Sequence, residues 1–246
     1  MTTADITGQS RAAWRAFDKL GVLIALLAAA GALLPFAVFR ANRIVLGEGL
    51  LIPSALGTPS AILLGLILLF GVGTMLVRVN PLAKLGIGFL VLATLFVLIG
   101  QSATFLTPPE NTFARVSPGA GFWLLTFAFA LLVTDALTRL KFGPWQRIGI
   151  LTVVGVAMVA LLWSGAWNDL SILKEFANRA AAFWAEARTH LLLAFGSVAI
   201  AIFAGVPLGI LLYRVKPLRA AVLNVLNIVQ TIPSIALFGL LIAPLA

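Results

Sequence analysis

Cysteine is absent from the 246 residues, and only one His and eight acidic residues are present. The first absence excludes disulfides and thiolate chemistry within the chain. The scarcity of His and acidic residues leaves too little for a metal site or a conventional acid–base centre. Charged residues make up only 10% of the sequence, against about 25% in soluble domains. None of the five lysines follows a glycine, so no phosphate-cradling Gly-Lys-Ser/Thr loop exists here. Catalytic residues, metal and cofactors are therefore expected to be none, and an enzyme is not expected.

What fills the chain instead is hydrocarbon. Hydrophobic residues reach 61% and mean hydropathy is +1.10, which places the chain among integral membrane proteins. The net charge of +9 would suit nucleic acid if it were gathered on one element. Here the 17 basic residues are spread over short segments between apolar runs, so they act as topology signals and no nucleic acid is expected.

Taken in order, residues 1–19 are polar, with Trp14 and Phe17 among basic residues as a possible interfacial lead-in. Residues 20–39 form an uncharged run too long for a signal-peptide core and lacking a small-residue cleavage site, so they predict a retained first span. Further spans are expected at 61–77, 85–100, 121–137, 148–163 and 191–213, and a last one in 220–246. Between them lie a Gly- and Pro-bearing connection at 40–60, a basic turn at 78–84, a polar segment at 101–119 and a basic turn at 139–147. Asp135 is the one acidic residue inside a span, and Arg139 four residues later predicts an interfacial ion pair. From Leu170, apolar or small residues recur at alternating steps of three and four through Leu191. This predicts an amphipathic surface helix, with Asp169 as N-cap and Glu175 paired to Arg179. Trp163, Trp167 and Trp184 read as interface anchors, and His190 beside Glu186 as an interfacial residue.

Basic residues in alternate connections total 11 on one side and 6 on the other. The richer set should be cytoplasmic, which puts the N-terminus inside and the amphipathic helix outside.

Two stretches near the end carry more chemistry. In the run 193–212, Gly205, Pro207 and Gly209 offer close helix contact and bending. In 220–246, Gln230, Thr231, Pro233 and Ser234 interrupt an apolar helix about 16 Å from its start, near mid-membrane by helical rise. Pro233 lacks an N–H, so the carbonyl of Val229 loses its helical partner. Polar backbone at that depth is tolerated only against protein or water, which suggests a broken helix lining a solute path.

Together, Gly-x-Pro-Leu-Gly, a short basic turn and Gln-Thr-Ile-Pro-Ser-Ile-Ala-Leu resemble the permease subunit of ABC importers for osmoprotectants such as glycine betaine, choline and carnitine. The resemblance covers about residues 186–246. It implies an all-α integral membrane protein with about seven transmembrane helices plus one amphipathic interfacial helix. The expected divisions are an extension of about five helices (1–165), a periplasmic surface helix (166–190), and the first two helices of a permease core (191–246). Gln230, Thr231, Pro233 and Ser234 would line the path. The implied partners are lipid, ATPase subunits, a periplasmic solute-binding protein that selects the solute, and a second permease subunit, all at the bacterial inner membrane. The family's coupling loop has no counterpart here, so the core is expected to be incomplete, the chain truncated and ATP-driven uptake unsupported by these 246 residues alone. Alternatives are a permease for another small solute such as an amino acid, or a membrane assembly protein without transport activity.

Overall fold

A computed structural model describes residues 18–107, 111 and 113–231. The chain divides into two compact units at Asn178/Arg179.

The first unit is built on four helices: α1 (Lys19–Leu33), α3 (Thr58–Leu76), α4 (Pro81–Leu106) and α5 (Ala120–Leu140). Each turns one narrow seam inward. In α3 the buried positions Leu64, Leu68, Gly71 and Met75 step by four, three and four, and α4 repeats the pattern at Lys84, Gly88, Val91 and Leu95. In α5 Leu125, Phe129, Leu132 and Ala136 do the same. This spacing suits antiparallel helices packed at shallow angles. The opposite faces carry exposed Leu23, Leu26, Leu63, Leu66, Leu69 and Phe70, which would be costly in water and is expected against lipid chains.

Two glycines set the closeness of the packing. A Cβ on Gly71 would lie 2.7 Å from the Phe129 ring, and one on Gly21 would collide with the Met75 carbonyl. The side chain of Asn80 accepts the Leu82 N–H and so caps the start of α4, where Pro81 has no N–H to lose.

The apolar run at 20–39 does not remain helical throughout. Helix α1 stops at Leu33, because Pro35 lacks an N–H and disfavours helical backbone at Leu34. The chain then turns into β1 (Ala37–Arg40), which pairs antiparallel with β2 (Glu48–Leu50) on one side and β3 (Arg115–Pro118) on the other. A short helix, α2 (Ile52–Leu56), leads into α3. This sheet caps one end of the bundle. Phe36, fully buried, packs edge-on to Phe122 at 5.8 Å between ring centres and so fixes the cap to α5.

Helix α6 (Pro144–Trp163) is long and apolar enough to span, yet none of its residues is buried. Helix α7 (Ser171–Arg214) runs 44 residues with non-helical backbone at Arg179 (φ −128°, ψ 17°), inside the 166–190 stretch expected as a surface helix. The second unit comprises its remainder and α8 (Lys216–Thr231), which starts four residues earlier than the expected Ala220. Among the described residues, five helices reach spanning length and α1 is a shorter apolar helix.

Candidate functional site

The sheet end of the first unit gathers chemistry from five separate stretches. Glu175, in the opening turns of α7, accepts from Arg43 at 2.9 and 2.8 Å and from Arg115 at 3.0 Å. It thereby ties the β1–β2 hairpin and β3 to α7. The pair expected between Glu175 and Arg179 is replaced by these contacts, because the backbone leaves the helical path at Arg179 and the two sheet arginines approach the carboxylate instead. Asp169 holds Lys174 at 3.2 Å and accepts from the Thr104 hydroxyl at 3.3 Å. Ser171 donates to the Val116 carbonyl, and Leu170 bridges Val116 in parallel, extending the sheet by one contact.

Two cavities open here. One, of about 880 Å³, is lined by Thr104, Asn111, Arg115, Asn168, Asp169 and Lys174 among others. Its charges are paired with one another or with Glu175, so it presents a polar surface without a strong net field. The other, of about 520 Å³, is nearly all apolar and is walled by Phe96, Phe122, Trp123 and Trp167. A ring-walled pocket suits a quaternary ammonium in principle. The carboxylate at its rim is Glu175, however, which two guanidiniums already neutralise. The pocket thus lacks the counter-charge that would hold a cation. Trp167, expected as an interface anchor, packs within the first unit: its Nε1 donates to the Phe96 carbonyl at 2.8 Å and its ring stacks on Phe96.

The opposite end of the bundle is an ion cluster. Asp18, just before α1, accepts from Lys84 at 3.1 Å and from Arg139 at 3.0 Å, both on Oδ2, while Arg139 also grips Asp135 at 2.8 Å. The expected Asp135–Arg139 pair is present, and Asp18 joins it across 121 residues of chain. Lys84 is only 2% exposed, so Asp18 is what makes its burial tolerable. The cluster also places the starts of α1 and α4 and the end of α5 at one end, opposite the sheet. Three connections grouped by charge counting therefore share a side in space.

Burial pushes the Asp18 carboxyl up, but the hydrogen bond and charge of Lys84, the charge of Arg139 and the Gly21 backbone N–H outweigh it and hold the group below its ordinary value of 3.8. A lowered folded value means that the stabilisation is fully present above the ordinary carboxylate range and is lost as pH falls through the folded value. The stability gap between wild type and Asp18→Asn is therefore expected to stay constant from pH 8 to about 5 and to close below about 4. A gap that closed between pH 8 and 6 would contradict this assignment.

The residues singled out at the end of the sequence fall in the second unit. Gln230 and Thr231 close α8 with exposed side chains, the Thr231 hydroxyl donating to the Ile228 carbonyl at 2.7 Å. Pro233 and Ser234 lie outside the described residues. Gly205, Pro207 and Gly209 sit within α7, and a Cβ on either glycine would meet nothing within 4 Å. Sequence reading missed Asp18, Lys84, Arg43 and Arg115 as network members. The only available signal was a buried-face lysine at the start of an apolar helix.

The family model described as the N-terminal domain of the ABC transporter permease YehY matches residues 18–173. A 53-residue stretch, 22% of the chain, is 53% identical to the osmoprotectant import permease protein OsmW of Salmonella typhimurium and covers 25% of that protein. The match thus spans about a quarter of the length of this curated relative. No solved structure matches. The family match covers more than half of the chain and takes in the whole four-helix bundle, its sheet cap and the Asp18–Lys84–Arg139 cluster, so the chain belongs to the YehY family of ABC transporter permeases.

Proposed function

We propose that the chain is the transmembrane permease subunit of an ABC importer carrying an osmoprotectant such as glycine betaine, choline or carnitine. The observation that carries this reading is the 53% identity to a protein named as an osmoprotectant import permease. The Gln-Thr-Ile-Pro-Ser segment that follows the Gly-x-Pro-Leu-Gly helix supports it. Residues 191–246 belong to the permease core, in which Gln230, Thr231, Pro233 and Ser234 line the path while Gly205, Pro207 and Gly209 let core helices approach and bend. Residues 1–165 form a membrane extension, followed by an external segment at 166–190. A separate ATPase drives the cycle, an external binding protein delivers the solute, and a second permease subunit completes the pore. Expression of the complete permease that carries this sequence, together with those subunits, in a bacterium lacking other osmoprotectant uptake should restore accumulation of radiolabelled glycine betaine at high osmolarity. Uptake of an amino acid instead, with no betaine accumulation, would defeat the assignment.

The chain sits in the bacterial inner membrane with its N-terminus in the cytoplasm. The 11-to-6 asymmetry of basic residues supports this orientation. Single cysteines at Lys141 and Lys216 should label from the cytoplasmic side in inverted vesicles, and one at Asn178 from the periplasmic side in intact cells. Labelling of Asn178 and Lys216 from the same side would reverse it.

A further inference from the structure

The ion cluster at the foot of the bundle has more positive charge than it uses. A cavity of about 440 Å³ is lined by Asp18, Arg78, Val79, Pro81, Lys84 and Arg139, three cations against one carboxylate. Asp135 satisfies the far side of Arg139. Arg78 is exposed and makes no hydrogen bond or ion pair among the described residues. Lys84 is almost wholly buried, yet of its three ammonium donors one is used, on Asp18 Oδ2. A buried ammonium with spare donors facing a cavity is costly unless an acceptor comes to it.

The place of the cavity narrows the acceptor. Arg78 follows an uncharged helix of spanning length, α3, and Lys84 opens another, α4. The cavity therefore lies where apolar helices reach the headgroup layer, and the positive end of α4 adds to its field. Basic pockets between helices at that level suit phosphate-bearing headgroups. We propose that Arg78, Lys84 and Arg139 form a site for a phosphate group, supplied by the headgroup of an anionic phospholipid or by free phosphate. The site has no dependence on the transported solute, so it stands or falls apart from the importer reading.

The test uses the full chain purified in detergent, with thermal unfolding followed by tryptophan fluorescence. Dioleoylphosphatidylglycerol should raise the midpoint in a saturable way, and dioleoylphosphatidylcholine should not. Arg78→Gln should weaken the apparent affinity about tenfold, since one charge-assisted contact is lost. Lys141→Gln, at the same end but outside the cavity, should leave it unchanged. Inorganic phosphate producing the same Arg78-dependent rise would identify the soluble anion as the source. Native mass spectrometry should show fewer retained phosphatidylglycerol molecules on Arg78→Gln than on wild type. No response to either anion, or an equal response and equal lipid retention in Arg78→Gln, would overturn the site.

Discussion

Asp18→Ala is expected to destabilise the bundle by about 2–4 kcal/mol, more than removal of either of its cationic partners. Taking away one member of a buried pair strands the other, at a typical cost of ~3–5 kcal/mol. Here the stranded group is Lys84, whose side chain is 3% exposed. The estimate sits below the full range because the Arg139 side of the cluster is 44% exposed and admits water. Arg139→Ala should cost less, because Asp18 keeps Lys84. Lys84→Met should also cost less, because it removes the buried charge together with the bond and fills the same space with hydrocarbon. The double variant Asp18→Ala/Lys84→Met should recover most of the loss, since no charge is then left in the seam. In a chain of this size the single change corresponds to a fall of about 5–15 °C in the unfolding midpoint. A midpoint for Asp18→Ala within about 1 °C of wild type, or a double variant no better than the single, would mean that Lys84 is solvated through the cavity and needs no carboxylate.

Apolar runs made most of the membrane helices legible. The apolar runs at 121–137 and 148–163 sit inside α5 and α6, and the run at 61–77 matches α3 to within a few residues at each end. Pro144 explains the earlier start of α6, and Pro81 likewise starts α4 ahead of the expected run at 85–100, since a proline at the first helical position belongs to the helix although it ends the polar turn before it. The sheet cap was hidden because 37–39 is as apolar as the helix before it, and hydropathy does not distinguish a buried strand from a buried helix. Pro35 was the available signal.

The site was less legible. Asp135 and Arg139 are four residues apart, so a helical pair could be read directly. Asp18 with Lys84 and Arg43 with Glu175 are separated by 66 and 132 residues, and no local pattern links such distant positions. Glu175 had a nearer candidate in Arg179. That inference assumed uninterrupted helix, which fails at Arg179 itself.

In the assembled importer, Gln230→Leu is expected to lower osmoprotectant uptake severalfold while leaving membrane abundance near normal. Gln230 lies on α8 one residue before its described end, on a helix none of whose residues is buried within the chain. An amide at membrane depth is costly unless it meets water, solute or a polar partner, so replacing it with leucine does not oppose insertion. If its partners are water and solute in the path, the leucine removes their binding group and narrows a polar passage with hydrocarbon. Transport then falls and folding does not. If the amide instead bonds to a neighbouring helix, the leucine loosens that contact, and abundance falls in step with uptake. Pro233→Ala tests the same division from the backbone side, because it restores an N–H for the Val229 carbonyl and likewise favours insertion. Uptake of radiolabelled glycine betaine and permease abundance measured in the same cells separate the two. A proportional loss of both quantities in both variants would remove these residues from the path and make the interruption a packing feature.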